Sequence, residues 1–193
     1  ENDMIITPCF EYYFDAKHEA TPFEKVYQYE PIPENFTKEQ AKHILGIQAN
    51  LWSEMIPNFK RLQFQAFPRF LALAETSWTS KEDKNYDDFQ KRMNLQYKRL
   101  EALNIQYHIP PVTGLKVAFL DKVTIELNAP LEDMVIYYST DGTTPSKTSK
   151  KYTAPLEFSQ TTTLNTIAYR GNVASETKAA LIEKQNYLES LNI

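Results

Sequence analysis

A chain of 193 residues, 42% hydrophobic and 24% charged, has the composition of a soluble globular protein and length for one medium domain or two small ones, which argues against disorder. Its formal charge of −4, with no dense cluster among its 21 Lys and Arg, disfavours nucleic acid as a partner, because phosphate binding needs a concentrated basic surface. Cys9 is the only cysteine, so an internal disulfide and a thiolate zinc site are excluded while the compartment stays open.

The first segment, "ENDMIIT", runs straight into a short β-branched strand ending at Pro8, with no signal peptide before it, and no stretch of the chain is long and apolar enough to cross a bilayer. The chain therefore reads as part of something longer. "ATPFEKVYQYEPIPENF" carries prolines and scattered aromatics and is expected to be an ordered loop. Thr37 and Gln40 form a capping-box pattern that opens a helix, and "ILGIQANLW" follows as a buried strand. Pro68 stands before "RFLALAETSW", where Phe70, Leu71, Ala74 and Trp78 recur at helical spacing and are expected to pack inward. From about Tyr86 another helix carries Asp87 and Asp88 in its first turn, favourable to its dipole, and an apolar stripe of Phe89, Met93, Tyr97 and Leu100. This alternation is a βα crossover series, which implies parallel neighbouring strands.

"HIPPVTG" changes the rhythm. Beyond it "KVAFL", "KVTIELN", "MVIYYST", "TLNTIAYR" and "KAALIEK" alternate as short strands, separated by turns such as "STDGTTP" and Gly171-Asn172. Five to seven strands in so short a module fit a small immunoglobulin- or fibronectin-like sandwich. The predicted division is residues 1–109, a linker over 110–114, and a β module over 115–193. Tyr137, Tyr138, Phe158 and Tyr169 lie within alternating strands, so burial or packing explains them better than a sugar-stacking platform.

Two clusters follow the first two strands, where parallel α/β proteins gather ligand-contacting residues. "PCFEYYFD" holds Tyr13 and Asp15; "NLWSE" holds Trp52 and Glu54. Each sets an aromatic two residues from a carboxylate, which extended backbone would point to one side, the combination a sugar site needs. From pattern alone the bland readings stand beside this one: Trp52 as a core or interface residue, Glu54 as a solvated or capping carboxylate, Tyr13 as a structural phenol, and Asp15 as a turn former. His18, His43 and His108 show no ligand spacing, and neither a metal nor another cofactor is indicated.

"HILGIQANLWSEMIP", "QAFPRFLALAETSWTSKEDKNYDDFQKRM" and "RLEALNIQYHIP" closely resemble the end of the catalytic barrel in family 20 glycoside hydrolases, the β-N-acetylhexosaminidases. "TPCFEYYFD" is similar to the preceding strand and loop, and "YYSTDGTTPS" with "YTAPLEF" to the C-terminal domain of bacterial members. The resemblance implies an α+β fragment: the last βα units of a (β/α)8 barrel followed by the sandwich, with strand edges and apolar helix faces left uncovered. It also implies a parent enzyme, secreted or periplasmic, that removes terminal N-acetylhexosamine from glycans or chitooligosaccharides by substrate-assisted, retaining hydrolysis. Tyr13 matches the tyrosine that bonds the acetamido oxygen, Trp52 the pocket wall, and Asp15 and Glu54 the carboxylates that grip the C4 and C6 hydroxyls. Ile47 stands where many relatives have glycine. The family's catalytic Asp-Glu pair, general acid and orienting aspartate, has no matching segment here, so the isolated chain is expected to be inactive. The rival expectation is a noncatalytic carbohydrate-binding or structural module.

Overall fold

The computed structural model describes residues 2–116 and 118–185; Glu1, Val117 within the expected strand "KVAFL", and residues 186–193 of the expected β module lie outside the described residues. The chain divides into two units, one up to His108 and one from Ile109.

In the first unit, strands β1 (Met4–Ile6) and β2 (Ile44–Ile47) pair in parallel. Six helices accompany them: α1 (Cys9–Tyr12), α2 (Phe23–Gln28), α3 (Lys38–Ala41), α4 (Phe59–Ala66), α5 (Arg69–Trp78) and α6 (Tyr86–Ala102). The capping box of α3 forms as the sequence predicts: the Gln40 amide N–H donates to Thr37 Oγ1, and the Thr37 amide N–H donates to the Gln40 side-chain oxygen. In α6 all four residues of the predicted stripe are buried, and Asn85 caps the helix by accepting from the Asp88 amide.

Three expectations are corrected. The segment expected as loop contains α2, because its prolines flank the helix and do not interrupt it: Pro22 precedes Phe23, and the next proline is Pro31. Helix α2 is held by aromatic stacking of Phe23 and Tyr27 on Phe89, and by the Thr76 hydroxyl donating to the Val26 and Tyr27 carbonyls. Strand β2 is not buried: Leu45 is 65% exposed, and among the described residues β1 is its one strand neighbour. Helix α5 buries Arg69, Ala72 and Thr76, not the expected stripe, and Trp78 is 90% exposed. Its inner face meets backbone carbonyls, which polar side chains satisfy and apolar ones do not.

The second unit is all β: β3 (Ala118–Phe119), β4 (Val123–Ile125), β5 (Val135–Ser139), β6 (Lys150–Lys151), β7 (Leu156–Phe158), β8 (Thr162–Arg170), β9 (Val173–Ala174) and β10 (Lys178–Lys184). The main sheet runs β3-β10-β8-β5-β6, with β9 folded back on β8 through Gly171-Asn172, and β4 pairs β7 apart from it. All pairs are antiparallel except β3 with β10. The core includes Ile125, Ile136, Leu164, Ala168 and Ile182, with Tyr138, Tyr152 and Phe158 packed against it. Tyr137 and Tyr169 lie on the other face, edge to face at 5.8 Å. Pro110 to Gly114, expected as linker, is packed within this unit: Val112 belongs to the core, and Thr113 exchanges backbone hydrogen bonds with Asn128. No helix among the described residues is long and apolar enough to cross a membrane.

Candidate functional site

Beyond Ile6 the first strand is interrupted. Pro8 starts the single turn of α1, whose helix ends as the chain returns to the parallel pairing. There Tyr13 bridges Asn50: the Asn50 amide donates to the Tyr12 carbonyl at 2.8 Å, and the Phe14 amide donates to the Asn50 carbonyl at 2.8 Å. This second pairing sets the ends of both strands side by side. It brings the Tyr13 and Trp52 rings to 6.5 Å between centroids, tilted by 48°. Trp52 is 52% exposed and Tyr13 half-buried, so a phenol and an open indole surface stand together at the end of β2.

The two carboxylates are reached differently from the expected alternation. Asp15 sits in a turn closed by the Ala16 amide donating to the Tyr13 carbonyl, and Glu54 lies exposed in the 3-10 turn Ser53–Met55. Neither pair is extended, because the turn closed between Tyr13 and Ala16 and the 3-10 turn Ser53–Met55 curl the chain where period-two geometry was assumed. Asp15 is half-buried, and its Oδ1 is buried with no hydrogen-bond partner among the described residues. An open cleft of about 300 Å³ adjoins the β2 end, lined by Leu51, Ser53, Ile56, Asn58, Phe59 and Leu62.

Beneath the Tyr13–Asp15 turn lie two fully buried side chains that sequence reasoning missed, Gln65 and Arg69. Gln65 Nε2 donates to the carbonyls of Asp15 (2.8 Å) and Ala16 (3.2 Å). The Arg69 guanidinium donates to the carbonyls of Phe14, Gln65, Ala16 and Thr21 and lies over the Phe14 ring. Burial lowers the Arg69 pKa to about 10, with the Asp15 charge opposing that shift, so the group stays cationic at neutral pH. The available signal was Arg69 at the first position of a helix, where the dipole disfavours a cation.

Two further residues are brought together across ninety positions of sequence. His18 and His108 stack at 3.7 Å and 8°, with Phe64 edge-on to both. His18 Nε2 donates to the Phe64 carbonyl. Burial is the main cause of their depressed pKa values, about 2 for His18 and about 4 for His108, and the Arg69 and Arg61 charges add to it. Both are neutral aromatic packing elements at ordinary pH. His43 stands apart, exposed in part and bonded to Asp3.

Comparison with known proteins places these features in context. Residues 1–81 match the family model described as glycosyl hydrolase family 20, catalytic domain, and residues 116–179 match the chitobiase/beta-hexosaminidase C-terminal domain. A beta-hexosaminidase of Porphyromonas gingivalis is 36% identical over 179 residues, covering 89% of this chain and 23% of the relative. A beta-N-acetylhexosaminidase of Cellulomonas fimi is 25% identical over 122 residues, covering 56% of this chain and 24% of the relative. The chain thus spans about a quarter of the length of these curated relatives. A solved structure of a GH20 exo beta-N-acetylglucosaminidase from Vibrio harveyi in complex with N-acetylglucosamine aligns with a TM-score of 0.48 and 30% identity, covering 55% of this chain and 19% of that one.

Proposed function

Because the chain belongs to glycosyl hydrolase family 20, we propose that it supplies one wall of an active site that removes terminal, non-reducing N-acetylhexosamine from glycans or chitooligosaccharides. The observation that carries this reading is the Tyr13–Asn50 bridge, which holds the Tyr13 phenol 6.5 Å from the Trp52 ring at the end of two parallel strands.

The chemistry follows from the residue types. In substrate-assisted hydrolysis the sugar's own acetamido oxygen attacks the anomeric carbon, retaining configuration over two displacements. A phenol donates a hydrogen bond to that oxygen without competing as an anion, which suits Tyr13. The exposed indole of Trp52 offers an apolar wall for the sugar ring and acetamido methyl. Asp15 and Glu54 supply carboxylates that accept bonds from the C4 and C6 hydroxyls. The general acid must protonate the leaving oxygen, and the family pairs it with an orienting aspartate. No aspartate in the 193 residues is followed by glutamate, so both groups are assigned to the rest of the enzyme. The site of action assigned to that enzyme is the periplasm or the outside of the cell.

The test is Tyr13→Phe in the full-length enzyme with an aryl N-acetylhexosaminide. Loss of a donor that acts on charge developing during attack lowers kcat by about 10²-fold with a smaller change in KM. An unchanged kcat removes Tyr13 from the mechanism.

A further inference from the structure

The carbonyls of Phe14, Asp15 and Ala16, three in succession, all accept hydrogen bonds from two side chains four residues apart in sequence, Gln65 and Arg69. Gln65 is 0% exposed and, among the described residues, leaves its Oε1 buried without a partner; an apolar side chain of the same shape would remove that cost but also the donor to the Asp15 and Ala16 carbonyls. Arg69 is 0% exposed and bonds only to carbonyl oxygens in the contacts described above. Desolvating a guanidinium is expensive, and here that cost is set against charge-assisted hydrogen bonds to the carbonyls of the turn. What the two residues provide is a fixed backbone for the segment that carries Tyr13 at one end and Asp15 in its middle. The donors come from two consecutive helices, α4 and α5, so the turn is referenced to rigid elements and not to a loop.

We infer that Gln65 and Arg69 are positioning residues, a clamp on the Phe14, Asp15 and Ala16 carbonyls that sets where the Asp15 carboxylate meets the sugar hydroxyls. The inference rests on the proposed hexosaminidase site. Misplacement of a substrate-holding group by a fraction of an ångström to 1 Å costs rate although the group itself is intact.

The experiment is a double-mutant cycle in the full-length enzyme, with kcat/KM on an aryl N-acetylhexosaminide and far-UV circular dichroism as the folding control. Gln65→Met keeps length and removes both donors. With native ellipticity it lowers kcat/KM about 10- to 100-fold, and that loss shrinks to about twofold or less in an Asp15→Asn background, because the clamp acts through Asp15. Arg69→Lys, which keeps the charge and loses the planar fork, is read in the same cycle and decides the matter where Gln65→Met does not fold. Wild-type kcat/KM in folded Gln65→Met, or the same fold-loss in both backgrounds, overturns the clamp while leaving the site reading intact. A wild-type enzyme inactive on N-acetylhexosaminides, or Asp15→Asn without effect, overturns the site reading and the clamp with it.

Discussion

Acidification strips stability from the first unit through one buried pair. His18 and His108, 6% and 9% exposed, stack ring on ring with Phe64 edge-on; the Arg69 and Arg61 charges lower both pKa values and the Glu19 charge raises that of His108. Both folded-state pKa values, about 2 and about 4, lie below the ordinary 6.5. The unfolded chain therefore binds two protons that the folded chain refuses. Stability from the pair is complete above pH 6.5 and falls as pH drops toward 4. At roughly 1.4 kcal/mol per pH unit per group, moving from neutrality to pH 5 removes about 2 kcal/mol for each imidazole and about 4 kcal/mol for the pair. All six helices assigned among the described residues belong to this unit, so ellipticity at 222 nm during urea unfolding reports on it selectively. The double variant His18→Phe/His108→Phe keeps two stacked rings without a titrating group, and its stability changes far less over the same range. A wild-type loss below about 1 kcal/mol between pH 7.5 and 5, or an equal loss in the double variant, refutes the assignment of the pH dependence to this stack.

Two other outcomes follow from single positions. Trp52→Ala in the full-length enzyme removes a half-exposed wall that packs near Tyr13, so steady-state kinetics show kcat lowered and KM raised together, about 10-fold or more in kcat/KM; a change in KM alone makes Trp52 a pure binding surface. Gly114→Ala forces a side chain onto a backbone at φ +92°, where the new Cβ would lie 1.9 Å from the Glu126 carbonyl oxygen. Calorimetry of the 193-residue chain should place the transition of the second unit lower by about 1–3 kcal/mol in stability, and an unchanged transition would show that the Gly114–Glu126 contact relaxes freely.

The parts of this structure that were legible in the sequence are those in which an element's partner is apolar. The α6 stripe of Phe89, Met93, Tyr97 and Leu100 is buried because it meets other side chains, including Phe23 and Tyr27 on Phe89 and Tyr107 on Tyr97. Periodicity reads that situation directly. Helix α5 follows the opposite rule: its inner face meets backbone carbonyls, those of the turn after Tyr13 for Arg69 and of the last turn of α2 for Thr76, so these two turn inward and Trp78 turns out. The same backbone explains what was seen and missed at the site. Two aromatic-carboxylate clusters after two parallel strands were visible from spacing, and Tyr13 and Trp52 do come together. The expectation that extended geometry aligned each aromatic with its carboxylate failed, because the turn from Tyr13 to Ala16 and the 3-10 turn at Ser53–Met55 intervene. A strand end that curls releases its carbonyls from the ladder, and each one buried then needs a donor from elsewhere. Gln65 and Arg69 are those donors, so a buried arginine opening a helix after proline is the sequence trace of an irregular segment packed beneath it. The departure from regular strand geometry and the polar core are one feature: the bend after Tyr13 leaves the carbonyls of Phe14, Asp15 and Ala16 to be paired by side chains, and Gln65 and Arg69 pair them.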